Sequence, residues 1–440
     1  MKHKIIVCLS LLFSAWLHAQ EAKTSFALKE AVQYALTHNR QVKNAALNIQ
    51  AAEKRKWEVT ATGLPQISGK IDYLSNLDTP FPASDDPDNP FSFFFPKHSI
   101  QPNVTLKQLI FDGTYIVALQ ASKVFLDISK NAKQKTDNEI KKATISAYTT
   151  ALLTKASIGI VEKNIANLSK SLAETKAIFK NGMTEEENVE QLQLTLTGLE
   201  NNLTNLQKLD NITLGYVKLL LGINAQENIT LTDRLDTLIF EQVSSNLNNS
   251  VTSIFENIDY KIAANNVESK YLLHKAEKYK RLPSIAGFLS GNYQNFTNDR
   301  FSALFDKNTQ WLSTLSAGVS VSFPIFTSLG GEATIKRTEI EWEIAQNELK
   351  ETEATIALDI SKAKSDYQLS IDTYHNKQKS LRLAERIEHK NNLKFKEGLA
   401  SSFELRQAQM QLYTTQQEYL QAMVDVINQK ATLENLLNLK

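Results

Sequence analysis

Phe179-Lys180-Asn181-Gly182 returns as Phe395-Lys396-Glu397-Gly398, and around that match the two halves of the chain stay in step. Leu64-Pro65 recurs as Leu282-Pro283 and Ile110-Phe111 as Ile325-Phe326. Beyond the glycines, Gln191, Gln193 and Leu196 fall on Gln407, Gln409 and Leu412, and Leu220-Leu221 on Leu436-Leu437. An offset near 216 residues, 218 at Leu64, 215 at Ile110 and 216 from Phe179 onward, held over such a distance, reads as a duplicated unit. Whatever one half folds into, the other repeats.

Proline positions say what each unit contains. Pro65, Pro80, Pro82, Pro87, Pro90, Pro96 and Pro102 cluster in the first half; only Pro283 and Pro324 follow. Proline breaks a helix interior, so the proline-free stretches 103–282 and 325–440 are open to long helices, while 65–102 and 283–324 are not. With 14 glycines and 9 prolines in 440 residues, helix breakers are sparse overall. Each unit is expected as helix, two strands, long helix, turn, helix.

The long helices carry a seven-residue repeat. Ala151, Ile158, Ile165, Leu172 and Phe179 form one seam; Tyr367, Tyr374, Leu381 and Phe395 hold the same positions in the second half. Ile335, Trp342, Leu349, Ile356 and Ala363 form another, offset by a stutter of four. Seven-residue spacing predicts helices packed side by side as coiled coil. At roughly 1.5 Å per residue, helices over 114–179 and 330–396 would each span about 100 Å.

The proline-bearing segments alternate instead. Trp311, Leu315, Ala317, Val319, Val321 and Phe323 interleave with Thr314, Ser316, Gly318, Ser320 and Ser322. Ile100, Val104 and Leu106 do so with Gln101, Asn103, Thr105 and Lys107, and Ile67, Ile71 and Tyr73 with Ser68, Lys70 and Asp72. Ser284 to Thr297 is free of charge but alternates less cleanly. Period two predicts strands, here four in two hairpins, of about ten residues each, the length that crosses a bilayer when tilted. A soluble sheet with one buried face has the same pattern.

The first residues favour the membrane reading. Lys2 and Lys4 precede an apolar stretch from Ile5 to Leu17, followed by His18-Ala19-Gln20, the pattern of a secretory leader cleaved near Ala19. The stretch is short of the roughly 20 residues a spanning helix needs. The only cysteine, Cys8, sits inside it, away from a cleavage boundary, so lipid modification is not expected and a processed chain has neither disulfides nor thiolate metal sites. Removing Lys2 and Lys4 leaves 47 basic against 48 acidic residues, a net charge of −1 that argues against a nucleic-acid partner. His38, His98, His274, His375 and His389 form no metal-ligand spacing, and nucleophile-elbow, His-Glu-x-x-His and phosphate-loop motifs are absent. No enzyme activity, cofactor or metal is expected.

A sheet in lipid must close on itself, and four strands cannot. Two or three subunits would supply eight or twelve, and twelve leave room for a conduit. Here the residues resemble the TolC family of outer-membrane efflux proteins, over essentially all of the chain after the leader. Leu28-Lys29-Glu30-Ala31-Val32-Gln33-Tyr34-Ala35-Leu36 followed by Asn39 is similar to the family's opening helix, which Leu64-Pro65 closes. Phe323-Pro324-Ile325-Phe326 with Gly330-Gly331 resembles its strand-to-helix corner, and Phe395 to Leu405 its inner turn. The resemblance implies a homotrimer in outer-membrane lipid that docks a periplasmic adaptor protein and an inner-membrane transporter of RND or ABC type. The implied fold is mainly α with transmembrane β and internally duplicated: long antiparallel coiled-coil helices forming an α-helical barrel, and four strands per protomer contributing to a 12-stranded trimeric β-barrel.

The expected boundaries are 1–19 for the leader, 20–222 for the first repeat, 223–256 for a linking equatorial segment and 257–440 for the second repeat. Strands are expected at about 66–78, 99–110, 284–297 and 311–326, with long helices at about 114–179 and 330–396.

A conduit needs a gate, and the turns at Gly182 and Gly398 are the candidates. Both glycines also suit simple helix caps. Glu185, Glu186 and Glu187 follow the first and Glu404 the second; repeated around an axis, such acids would form carboxylate rings that select cations. Acids in a first helical turn equally suit the helix dipole. The resemblance implies an acidic gate position at Glu404, where the family member compared has aspartate. It puts a second at Gln407, where the acid is missing, and sets Ala400 where that protein has a basic residue. The function expected is a passive exit duct of a tripartite efflux or type I secretion system, gated at its periplasmic tips. A periplasmic coiled-coil adaptor is the alternative. The exported substrate is not encoded in these features.

Overall fold

The computed structural model describes residues 24–78, 96–243, 253–307 and 309–438. The expected leader lies outside them, as does most of the stretch between Asp78 and Ser99. In chain order the elements are β1 (Ser25–Phe26), α1 (Leu28–His38), α2 (Arg40–Ala61), β2 (Gln66–Ser75), β3 (His98–Phe111), α3 (Gly113–Lys180) and α4 (Glu186–Leu221). Then come β4 (Thr230–Leu231), α5 (Leu235–Val243), α6 (Ile258–Tyr279), β5 (Ser284–Thr297), β6 (Leu312–Ser322), α7 (Gly330–Lys396) and α8 (Ser402–Leu436). Short 3₁₀ turns occupy Ile254–Glu256 and Phe301–Phe305. The chain is mostly helical, and the series helix, strand, strand, long helix, helix occurs twice.

Local chemistry sets the joints. Asn39 caps α2: its Oδ1 accepts from the Gln41 backbone N–H at 2.7 Å, while its Nδ2 donates to the Leu220 carbonyl at 2.8 Å. At the strand-to-helix corner, Asp112 Oδ1 accepts from the N–H groups of Thr114 and Tyr115 at 2.8 and 3.0 Å. β6 stops at Ser322, two residues before Pro324, which has no N–H to continue a ladder.

The chain divides into two compact units. One comprises Met1–Ala46, Ala132–Lys261 and Thr352–Lys440. Its core gathers Phe26, Ala31, Ala35, Tyr148, Val217, Leu221, Met423 and Leu433, all buried; each large apolar side chain so placed contributes about 1.5–3 kcal/mol. β1 and β4 pair in parallel. The Tyr148 hydroxyl donates to the Phe26 carbonyl at 2.8 Å, and Asp233 Oδ2 accepts from the Leu28 N–H at 2.7 Å. Residues 223–256 thus supply β4 and α5 to this core. Of the expected seam on α3, Ala151 and Leu172 are buried, Ile158 and Ile165 half-buried and Phe179 exposed, while Ser157, Val161, Asn164, Leu168 and Thr175 are buried beside it. Ser157 donates to Gln417 and Asn164 to Gln416 on α8, both at 2.9 Å. On α7, Ile356, Ala363, Tyr367 and Tyr374 are buried, preserving the stutter of four.

The other unit comprises Leu47–Asn131 and Ile262–Glu351 and holds a four-stranded sheet in the order β2-β3-β5-β6. All its pairings are antiparallel. The register puts Ile67 opposite Leu106, Leu106 opposite Leu289 and Leu289 opposite Ala317; Val104 faces Gly291, and Gly291 faces Leu315. Paired residues share a face, so Ile67, Ile71, Val104, Leu106, Leu289, Leu315 and Val319 form one apolar surface. The opposite surface carries Ser68, Lys70, Asn103, Thr105, Ser290, Asn292, Thr314 and Ser316. Large side chains on the apolar surface stand exposed, Ile67 at 72%, Ile71 at 70% and Leu315 at 76%, as do Ser68, Lys70, Thr314 and Ser316 on the polar one. Both edge strands, β2 and β6, lack an outer partner among the described residues. No described helix is long and apolar enough to cross a membrane, which says nothing of strands.

Candidate functional site

The two helix-hairpin turns are built alike. Gly182 has φ +75° and Gly398 φ +71°, the left-handed conformation that side chains resist. The Gly182 N–H donates to the Phe179 carbonyl at 2.8 Å and the Met183 N–H to Ile178 at 3.2 Å; the Gly398 N–H reaches Phe395 at 3.0 Å and the Leu399 N–H reaches Lys394 at 2.7 Å. These paired bonds close the helix C-termini in the Schellman manner.

The acids on the far side of the turns differ. Ser401 N-caps α8, and its hydroxyl accepts from the Glu404 N–H at 3.2 Å while Glu404 Oε2 accepts from the Ser401 N–H at 2.8 Å. This reciprocal capping box engages the carboxylate locally, and the Ser401 backbone and hydroxyl donors hold its pKa below the usual range. Glu185 is the N-cap residue of α4 yet makes no side-chain cap bond. Glu186 and Glu187 stand exposed in the first turn, where Glu187 Oε1 accepts from Gln191 Nε2 at 2.7 Å. Gln407 lies exposed on α8, beside a groove of about 470 Å³ lined by Phe403, Arg406, Gln407, Met410, Gln411 and Thr414. The Arg406 guanidinium sits 5.4 Å from the Phe403 ring.

What joins the two hairpins was not among the expected residues. The buried Ser402 hydroxyl donates to Asn188 Oδ1, with Gln191 Oε1 at 3.4 Å, and Asn188 Nδ2 donates to Thr184 at 2.8 Å. Lys396 pairs with Glu174 at 3.5 Å across the long helices. The capping box was likewise not among the expected features, although its Ser-x-x-Glu spacing is the signal that could have found it; no local pattern marks Ser402 and Asn188. Deeper in the hairpin, burial raises the Glu388 carboxyl and pushes the Tyr413 phenol up to about 12. No His, Cys, Asp and Glu group among the described residues could hold a metal ion.

Residues 261–439 match the family model described as outer membrane efflux protein. No curated protein matches the chain. Solved structures match over 93% of it. CusC does so at 18% identity with a TM-score of 0.76, covering 91% of that chain. VceC from Vibrio cholerae, an outer membrane protein, matches at 16% identity and 0.72, covering 95%. The CmeC outer membrane channel of Campylobacter jejuni matches at 15% identity and 0.75, covering 85%. Residues 261–439 are thus similar to the outer membrane efflux protein family, and over 93% of its length the chain has the fold of these solved structures.

Proposed function

We propose that this chain is one protomer of an outer-membrane exit duct, in which three copies close a twelve-stranded barrel and an α-helical tunnel extends into the periplasm. The observation that carries the reading is the four-stranded sheet with an exposed apolar face, a polar opposite face and two open edges. In water such a face and such edges invite aggregation; in lipid the face is solvated, and a neighbouring copy's β2 on each β6 satisfies the edges. The repeated element series supports an internal duplication. The likeness to proteins described as outer membrane channels supports the compartment.

In this reading the protein is passive and performs no catalysis. A periplasmic adaptor and an inner-membrane transporter of RND or ABC type supply cargo and energy, in a tripartite efflux or type I secretion system. Gly182 and Gly398 set the hairpin tips, and Glu185 to Glu187, Glu404 and Gln407 ring the periplasmic entrance. Purified protein should run as a trimer and show single-channel conductance in a planar bilayer. A monomer without conductance, or extraction from the envelope without detergent, would overturn the duct and favour an adaptor.

A further inference from the structure

The connection between β5 and β6 leaves the sheet at the end away from the helices, and its 3₁₀ turn lies across the apolar face. Leu304, fully buried, accepts from Asn295 Nδ2 on β5 at 2.5 Å through its carbonyl. The Phe301 ring meets Tyr73 on β2 edge-on at 5.1 Å and His98 on β3 at 6.5 Å. The Tyr73 hydroxyl is 3.0 Å from His98 Nδ1. The register puts Tyr73, His98 and Asn295 on the same face as Ile71, Val104 and Leu315. A connection covering a pore would lie on the polar face.

The outer side of this turn is apolar. Phe301 is 49% and Phe305 59% exposed, their rings 5.7 Å apart. Charge is confined to the ends: Asp299 and Arg300 precede, Asp306 and Lys307 follow, and all four are exposed. An apolar stretch between charged ends suits a segment lying in a membrane interface, where aromatic rings sit at headgroup level. The height fits. β2 has 10 residues, which at ~3.3 Å each and ~40° tilt rise about 25 Å, the usual apolar band of a barrel. A turn at the outer end of the strands therefore meets the headgroups.

We propose that Phe301–Phe305 is a lipid-binding belt, docked on the membrane-facing wall of the barrel with the headgroup boundary of the outer leaflet as its occupant. The inference rests on the barrel reading above and identifies which connection contacts lipid there.

The test uses the full chain after leader removal, in which Cys8 is absent. Ser302→Cys is labelled with a polarity-sensitive fluorophore and reconstituted in phosphatidylcholine vesicles brominated near the headgroup, brominated deep in the acyl chains, or unbrominated. Shallow bromines should quench the label about twofold or more, deep ones less, and Phe301→Ser with Phe305→Ser should remove most of the quenching. Absence of quenching in vesicles that still conduct would overturn the belt and leave the duct standing. Disulfide formation between Ser302→Cys copies of neighbouring protomers would also overturn it, since a second copy would then cover the turn. Quenching without conductance would count against the duct alone.

Discussion

Asn164 on α3 donates from Nδ2 to Oε1 of Gln416 on α8 at 2.9 Å, from a side chain almost wholly buried in the helical seam. A buried amide so paired adds little net stability, but stripping its partner leaves an unsatisfied group. Asn164→Ala should therefore lower stability by about 1–2 kcal/mol. Asn164→Ala combined with Gln416→Ala should cost less than the sum of the single changes. Denaturation of the detergent-solubilised protein measures both; strict additivity would show that the pair is uncoupled.

Gly398 and Gly215 offer opposite outcomes for one substitution. A Cβ at either meets nothing within 4 Å, but Gly398 is left-handed while Gly215 lies inside α4. Gly398→Ala should destabilise by about 1 kcal/mol and speed proteolysis at the turn. Gly215→Ala should stabilise by about 0.5–1 kcal/mol. Equal effects at the two sites would contradict the turn geometry.

Glu404 has two candidate roles, and Gln separates them. Glutamine can keep the bond to the Ser401 N–H without charge, so a purely capping role predicts that Glu404→Gln behaves as wild type while Glu404→Ala loosens the start of α8. A gating role predicts that both change cation selectivity in a planar bilayer. Because the folded pKa is depressed, the contribution of the ionised cap is present at neutral pH and is lost as pH falls through the folded value, below the ordinary carboxylate range. Hydrogen exchange at residues 402–405 across an acid titration follows it.

The two faces of the sheet should respond oppositely to charge. Ile71→Lys on the apolar face should cost about 2–4 kcal/mol of insertion, whereas Thr105→Lys on the polar face should be tolerated. The fraction of protein resisting alkaline extraction from membranes reads out both. Tolerance at position 71 together with loss at 105 would invert the assignment of the faces.

Long helices and strands could be read from the chain because proline exclusion, period two and period seven are local properties. The 216-residue offset likewise needs only the sequence. The finer seam was less legible: polarity marks Ser157 and Asn164 as surface residues, yet they are buried, since Gln417 and Gln416 satisfy them from an element about 250 residues away. At the candidate site, Glu404 is expected from the sequence as a gate acid and not as the partner of Ser401 in a capping box, although that pair fits the local Ser-x-x-Glu pattern, whereas the Ser402 contact with Asn188 depends on two hairpins meeting.

By itself the sequence determined which segments are helix and which are strand, and which side chains alternate along each strand, because backbone sterics and side-chain period act over a few residues. Only the tertiary structure decided that β3 pairs with β5, merging two hairpins into one sheet, as when Asn103 Nδ2 reaches Ser290 Oγ at 3.0 Å. Only there does the apolar face become continuous, and only there does the Phe301 turn select that face. Strand pairing across such a distance is set by packing and by hydrogen-bond satisfaction, and no local pattern carries it.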